Sequence, residues 1–313
     1  MIRPRNLADV VRRILLLVVI VVVGIVLWRN WDEVAPQISA VSPTAWVAAG
    51  AAALISPFLT LMGWRRVLAD LGSPLSPANA ASVFMVGQLG KYVPGSLWSV
   101  LVAAEVARRL GVPRQRTAVV GLITLAMALL TGIGLGVPAL PAMADLGERT
   151  MLILLGVSAV VMMVVLYPAV LNRLIDTGLR MIRRGPLTHP LSGPAIFQMA
   201  LWFLLSWVAT GVAMWVLARE LVEPGGDTAY LALVCITGFP LATSLGMLSV
   251  FIPAGAGVRE GLLVVLLVGL LTAPAAAAVA ILVRFLTVVT DVVWALAGWA
   301  WGRVHRLTGP VEG

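Results

Sequence analysis

The chain has 313 residues, of which 60% are hydrophobic and only 12% are charged, and its mean hydropathy is +1.01. Soluble globular domains do not have this composition, so the sequence indicates an integral membrane protein with several helices. The net charge of +8 does not indicate nucleic-acid binding, because the basic residues lie at the ends of apolar runs.

The sequence also gives no indication of a metal site or of thiol chemistry. The chain has one cysteine, Cys235, and two distant histidines, His189 and His305. A single thiol forms no disulfide framework, and isolated histidines do not form a metal-binding cluster. We therefore expect no metal and no cofactor.

Six apolar runs approach the roughly 20 residues that a helix needs to cross about 30 Å of hydrocarbon. They are residues 14–28, 44–63, 118–140, 151–171, 195–217 and 274–301. The arginines before the first run would also suit a signal peptide, but no small-residue cleavage site follows it, so we expect a retained helix. The predicted fold class is an all-α polytopic membrane protein.

Residues 78–109 do not fit a simple span. The apolar runs 78–90 and 96–109 are each only about 20 Å long as helices, and residues 91–95 between them are Lys-Tyr-Val-Pro-Gly. Arginines flank both ends of the region: Arg65, Arg66, Arg108, Arg109, Arg114 and Arg116. The positive-inside rule makes both ends cytoplasmic, so the region is predicted to enter the membrane and return as a re-entrant hairpin.

Residues 230–271 are predicted to enter from the opposite side. The first arm is long and is expected to be interrupted at Gly238-Phe239-Pro240, and the second arm, 258–271, is again short. The region is either a hairpin from the outer face or two true spans, and both alternatives keep the C-terminus in the cytoplasm.

As a hairpin, this region divides the chain into an inverted-topology repeat of the kind that transporters use. Residues 1–140 form the first repeat, and 141–193 contain a linker, the span 151–171 and a basic cytoplasmic loop. Residues 194–302 complete the second repeat, and 303–313 are a cytoplasmic tail. The predicted architecture is six full transmembrane helices with two re-entrant helical hairpins, and both termini are cytoplasmic.

The first hairpin tip carries candidate ligands for a phosphate group. Pro94 and Gly95 end one arm and open the next, whose free N–H groups bind anions, and Lys91 supplies a positive charge beside them. Further hydrogen-bonding groups come from Gln88, Tyr92 and Ser96. The alternative is that Lys91 reaches the cytoplasmic headgroups and the Pro-Gly pair only forms a turn.

At the second tip, Pro253, Gly255 and Gly257 allow irregular backbone. Arg259 lies in the first turn of the next arm, where a cation opposes the helix dipole unless an anion or a carboxylate compensates it. Glu260 is adjacent, so the alternative to a phosphate ligand is an Arg259–Glu260 pair that only fixes the turn.

Charged residues also lie inside the last span. Arg284 and Asp291 are seven residues apart, which puts them on one helix face about 10 Å apart along the axis. We expect Arg284 to pair with a ligand phosphate or Glu260, and Asp291 to pair with a cation such as Lys91 or Arg259. A purely structural network of ion pairs is the alternative.

Carboxylates are the candidate charge partners or proton carriers. They are Glu105, Glu260 and Asp291. Glu105 is the weakest candidate, because Arg108 and Arg109 follow it within one turn.

The motif Gly87-Gln88-Leu-Gly-Lys91-Tyr92-Val-Pro94-Gly95, with Trp98 and Glu105 after it, resembles the transmembrane region of bacterial lysylphosphatidylglycerol synthases. So does the later Pro253-Ala-Gly255-Ala-Gly257-Val-Arg259-Glu260-Gly261. The resemblance implies a stand-alone flippase region without the soluble synthase domain, in the bacterial cytoplasmic membrane. In two-domain members this region is held to move an aminoacylated phospholipid between leaflets, and some archaeal relatives are linked to polyprenyl-phosphate-linked sugars.

The favoured hypothesis is a lipid flippase or transporter for a phosphate-bearing lipid, with no catalytic residue. One alternative is a membrane-embedded transferase acting on a lipid-linked sugar, with Glu105, Glu260 or Asp291 as base. The other is a non-catalytic partner of enzymes that build the cell envelope. The expected partners are the lipid substrate and a lipid-modifying enzyme.

Overall fold

A computed structural model describes residues 31–92, 98–144, 146–181, 187, 190–249 and 255–304. All regular structure in these ranges is helical, and they contain no strand. The predicted span 14–28 and the tip residues Pro94, Gly95, Ser96 and Pro253 lie outside the described residues, as does the side chain of Tyr92.

The α-helices of the described ranges are numbered in chain order. They are α1 Trp31–Ala40, α2 Pro43–Asp70, α3 Pro77–Gln88, α4 Trp98–Arg108, α5 Arg114–Gly136, α6 Gly147–Leu166, α7 Pro168–Met181, α8 Gly193–Ala218, α9 Thr228–Leu248, α10 Val258–Leu267 and α11 Ala273–Val304. Short 3₁₀ turns follow three of them, at Leu89–Tyr92, Val137–Ala144 and Arg219–Leu221.

Six of these helices are long and apolar enough to cross a bilayer: α2, α5, α6, α8, α9 and α11. Five coincide with predicted spans, and the sixth, α9, lies in the region that was predicted as a hairpin or two spans. The chain is therefore an all-α, multi-pass membrane protein. The helices α3, α4 and α10 have 12, 11 and 10 residues, or about 15–18 Å each, too short to cross alone.

Two expectations about helix boundaries were wrong. The helix α9 is not interrupted at Gly238-Phe239-Pro240 but runs continuously through Pro240. This stretch is closely packed: a Cβ at Gly211 of α8 would lie 2.5 Å from the Ile236 Cα atom of α9. The predicted basic loop also contains a helix, α7, whose buried face includes Leu171 and Leu179.

Helix starts are fixed by polar caps. The hydroxyl groups of Ser42, Ser76 and Ser192 accept from the N–H groups three residues on, and each of these helices has a proline in its first two positions. Serine at the N-cap with proline just inside is a strong start signal. The Asp70 carboxylate, at the end of α2, accepts from the Ser192 N–H group at 2.9 Å and hydroxyl at 2.6 Å, which ties α2 to the start of α8.

The helices α2 and α8 pack side by side, with the Ser56 and Ser206 hydroxyl oxygens 2.7 Å apart. Two apolar clusters form around them. The first cluster packs the start of α2, near Val41, and the end of α8, near Leu217, against α9, α10 and α11. The second cluster packs the later part of α2, near Trp64, and the start of α8, near Ile196, against α3, α4 and α5. The polar groups described below lie where these two clusters meet.

Candidate functional site

A cavity of about 460 Å³ opens between the helices. Pockets that hold small polar molecules or lipid headgroups fall in the range of roughly 300–1,000 Å³. Six of the residues singled out in the sequence line it: Gln88, Lys91, Gly255, Arg259, Arg284 and Asp291. Residues up to two hundred positions apart are thus brought to one space inside the helix bundle.

Lys91 lies in the 3₁₀ turn that follows α3. Its Nζ atom is 2.7 Å from the Asp291 Oδ2 atom, and the two side chains are 37% and 9% exposed. Glycines let the turn approach α4, since a Cβ at Gly90 would lie 2.5 Å from the Ser99 backbone nitrogen. The cation is therefore held beside the cavity by close backbone contact on one side and a carboxylate on the other.

The start of α10 positions Arg259. Gly257 has a φ of +87° and is the N-cap of α10, and its N–H group donates to the Glu260 Oε2 atom at 2.6 Å. The Arg259 Nη2 atom lies 3.3 Å from the other carboxylate oxygen, and its side chain is only 8% exposed. The carboxylate offsets the unfavourable position of a cation in a first helical turn, as the sequence suggested.

The helix α11 contacts both groups. The Arg284 Nε atom lies 3.8 Å from the Glu260 Oε1 atom, and Asp291 binds Lys91 two turns further along. Of the partners considered for these residues from the sequence, the structure brings Glu260 to Arg284 and Lys91 to Asp291. One helix of the second half of the chain thus connects the two glycine-rich segments.

The sequence profile of the lysylphosphatidylglycerol synthase TM region matches residues 14–295. The chain belongs to this family. No curated protein matches the chain. The resemblance carried by the Lys-Tyr-Val-Pro-Gly segment is therefore confirmed at the level of the family, and membership supports a membrane, lipid-related role.

In this member of the lysylphosphatidylglycerol synthase TM region family, Glu105 lies away from the cavity. Its carboxylate is exposed and pairs with Arg108 and Arg114. Hydrogen bonds from Arg108 and then Arg114 hold the pKa of Glu105 below its usual value. Glu105 therefore belongs to an exposed ionic cluster at the end of α4, separate from the charges around the cavity.

Sequence reasoning missed most of the uncharged lining. Serine and threonine residues from six helices line the cavity: Ser56, Thr60, Ser99, Thr124, Ser206, Thr210, Thr243, Thr287 and Thr290. A signal was present, because serine and threonine recur three or four residues apart in apolar helices, which puts them on one face. On α11 the residues Arg284, Thr287 and Asp291 follow the same spacing.

Metal binding has no support in the described ranges, where no group of three or more His, Cys, Asp or Glu side chains is positioned to hold an ion. The chemistry that the cavity offers is the binding of charge and of hydroxyl groups inside an apolar bundle.

Proposed function

We propose that this protein is a lipid flippase that moves a phosphate-bearing lipid between the leaflets of the bacterial cytoplasmic membrane. The candidate substrates are an aminoacyl-phospholipid and a polyprenyl-phosphate-linked sugar. The observation that carries the proposal is the convergence of Lys91, Arg259 and Arg284 on one cavity inside the helix bundle. A phosphodiester cannot enter hydrocarbon without a compensating charge, and buried cations supply it.

The short helices support a re-entrant hairpin in the first half of the chain; in the second half α10 is short but its partner α9 is long enough to cross the bilayer. The helices α3 and α4, which we name the first helix pair, are each too short to cross the bilayer, and so is α10. We name α9 and α10 the second helix pair. Irregular backbone at membrane depth is tolerated where it lines a cavity, and the described part of both connecting segments, at Lys91 and Gly255, does so.

Reciprocal packing supports the inverted repeat. The first helix pair packs on α11 of the second half, where a Cβ at Gly298 would lie 2.9 Å from the Ala81 oxygen. The second helix pair packs on α5 of the first half, where a Cβ at Gly136 would lie 2.7 Å from the Leu241 Cα atom. This exchange of partners is expected when two halves are related by a pseudo-two-fold axis in the membrane plane.

In the proposed mechanism the headgroup occupies the cavity while the tails stay in lipid. The phosphate interacts with Lys91, Arg259 and Arg284, and movement of the helix pairs exposes the cavity to each side in turn. The basic cytoplasmic segments, with cytoplasmic termini, set the orientation. A lipid-modifying enzyme that makes the substrate is the expected partner.

The transferase alternative has weaker support. A general base must reach the substrate with a usable lone pair. Among the described residues that line the cavity the one carboxylate is Asp291, which is bound to Lys91. Glu105 lies with Arg108 and Arg114 instead. We therefore propose a carrier without catalytic residues.

The test is transport of a fluorescent phospholipid in proteoliposomes, measured by quenching the outer leaflet. Lys91→Ala and Arg259→Ala should each slow transport at least about tenfold, because each removes a charged hydrogen bond worth more than about 1.4 kcal/mol. The matched control is Arg173→Ala, which removes an exposed cation of α7 and should leave the rate unchanged.

Two results would redirect the proposal. A change in the mass of the lipid after incubation would favour the transferase. If both cavity variants transported lipid at the wild-type rate, the proposed phosphate site would be excluded. A non-catalytic partner of the enzymes of envelope synthesis would then be favoured.

A further inference from the structure

The cavity lining has two chemically different walls. The charged wall is formed by Lys91, Arg259, Arg284 and Asp291. The hydroxyl wall is formed by Ser56, Thr60, Thr124, Ser206, Thr210 and Thr243, on α2, α5, α8 and α9. A ligand that fills the cavity meets both.

The charged wall is unbalanced. Three of its four side chains are cations, and the fourth, Asp291, is bound by Lys91 at 2.7 Å. The neighbouring Glu260 carboxylate is shared by Arg259 and Arg284. The wall therefore suits an anion, and a cationic group brought to it would meet an excess of like charge.

An aromatic pair, Trp207 and Phe239, also lines the cavity beside the charged wall. The Phe239 ring lies 5.7 Å from the Arg259 Cζ atom and 6.3 Å from the Trp207 ring. The Trp207 N–H group donates to the Thr131 hydroxyl oxygen at 3.1 Å, which leaves the faces of its indole ring for apolar contact. Although aromatic faces attract ammonium groups in general, the Arg259 guanidinium already contacts this pair.

The hydroxyl wall presents acceptors. Thr60, Thr124 and Thr210 donate their hydroxyl protons to carbonyl groups of their own helices at 2.7–3.0 Å. A hydroxyl group has one proton and two lone pairs, so these oxygens can accept from a ligand. Thr243 also lines the cavity, and its buried hydroxyl makes no hydrogen bond within the described residues.

From this division we infer that the headgroup is an uncharged, hydroxyl-bearing group attached to the phosphate: a glycerol, another polyol or a sugar. The phosphate lies against the charged wall, and the hydroxyl groups donate to the hydroxyl wall. An aminoacylated headgroup is disfavoured, because its ammonium group would lie beside Arg259. This inference rests on the proposed function and selects among its substrates.

To test this inference, the purified protein is incubated with an equimolar mixture of lipids that have matched acyl chains. The lipids that it retains are then measured by native mass spectrometry. The mixture contains phosphatidylinositol, phosphatidylglycerol, phosphatidic acid, lysylphosphatidylglycerol and phosphatidylcholine. A parallel sample adds a prenyl-phosphate hexose. Comparing the two samples separates a polyol phospholipid from a lipid-linked sugar as the source of the same chemistry.

The hydroxyl-bearing anionic lipids are phosphatidylinositol, phosphatidylglycerol and the prenyl-phosphate hexose. We expect at least one of them to be retained at least about tenfold more than phosphatidic acid and lysylphosphatidylglycerol, the factor that one or two net hydrogen bonds provide. Thr210→Val and Thr243→Val should reduce that preference severalfold while leaving phosphatidic acid unaffected. Thr237→Val is the matched control, since Thr237 lies on α9 but outside the cavity lining.

Retention of lysylphosphatidylglycerol at or above the level of the hydroxyl-bearing lipids would overturn the inference and leave the flippase proposal intact. Equal retention of phosphatidic acid would also overturn it, because hydroxyl groups would then contribute nothing. No preference for any anionic phospholipid or for the prenyl-phosphate hexose over zwitterionic phosphatidylcholine, with no effect of Lys91→Ala, would instead count against the proposed function itself.

Discussion

The two helix pairs bring a cation to the same cavity by different means. In the first helix pair, Lys91 is partly exposed and binds a carboxylate on a separate helix, Asp291 of α11. In the second helix pair, Arg259 is buried and binds the carboxylate next to it in the chain, Glu260, which also caps its own helix. The first cation thus depends on a neighbouring helix, whereas the second is fixed within its own turn.

This difference implies that Arg259 is held in place before a ligand binds, whereas Lys91 can change its partner when a ligand binds. A buried cation whose carboxylate is part of the same helix cap is fixed before any ligand arrives, which reduces the cost of binding. A half-exposed lysine whose partner lies on another helix can exchange that partner for a phosphate. We therefore expect substitutions of Arg259 and Glu260 to affect folding as well as lipid handling, and substitutions of Lys91 and Asp291 to affect mainly lipid handling.

The largest expected effect comes from the glycine contacts within each pair. Gly255 has a φ of +63°, and a Cβ there would lie 2.6 Å from the Gly246 Cα atom, so Gly255→Ala adds backbone strain of about 1–2 kcal/mol to a steric overlap. Gly90→Ala adds only a steric overlap, with backbone atoms of Trp98 and Ser99. Thermal unfolding in detergent should show a large loss for both, and a greater one for Gly255→Ala.

The control for these substitutions is Gly156→Ala, because a Cβ at Gly156 meets nothing within 4 Å. An alanine inside a helix is favoured over glycine by roughly 0.5–1 kcal/mol, so this variant should be as stable as wild type or slightly more so. If Gly90→Ala unfolded at the same temperature as the control, the close contact between the turn after α3 and the helix α4 would be disproved.

The next largest effect on stability is expected from neutralising one of two carboxylates, Glu260 or Asp291. Glu260→Gln removes the charge shared by Arg259 and Arg284, whose side chains are 8% and 24% exposed. Because Glu260 is itself 19% exposed, the cost should stay below the roughly 3–5 kcal/mol of breaking a fully buried pair. Asp291→Asn should cost less than about 1 kcal/mol, because Lys91 is partly exposed and retains access to water. The unfolding midpoints of the two variants measure the difference, and equal midpoints would contradict it.

A third prediction concerns lipid handling in Asp291→Asn. Without the carboxylate, Lys91 has one competitor fewer for a phosphate, so the variant should retain anionic lipid more strongly, by up to about tenfold, the factor of one charged hydrogen bond. Transport should slow, because release of the headgroup becomes harder. Both quantities are measured on the same preparation, and a fall in lipid retention or an unchanged transport rate would contradict this expectation.

The smallest effect is expected at Glu105. Arg108 and Arg114 lower the pKa of this carboxyl group in the folded state. A lowered pKa contributes stability above the pKa of the unfolded chain, and this contribution is lost as the pH falls through the folded-state pKa. Glu105→Gln should therefore flatten the acid limb of the stability curve below about pH 4.5, by a small amount because the cluster is exposed to solvent.

Much of the architecture could be predicted from the sequence, because hydrophobic length and arginine position are local signals. Five spans were found this way, and the charge pairs of Arg284 and Asp291 followed from their spacing on one helix face. The continuity of α9 through Pro240 could not be predicted, since the close packing of this stretch against α8 at Gly211 is not a local signal. The hydroxyl wall was missed because Ser and Thr in apolar helices usually bond their own backbone, and only tertiary packing decides which of them face a cavity.

The position of Arg284 and Asp291 on one helix has a further consequence for binding. The two ion pairs that join α11 to the helix pairs share a rigid element, so their strengths are thermodynamically linked. Any effect of a ligand that separates Lys91 from Asp291 on the Glu260–Arg284 contact would be reciprocal, so an event that strengthened that contact would change ligand affinity by the same factor. A double-mutant cycle of Asp291→Asn and Glu260→Gln measures this coupling across α11.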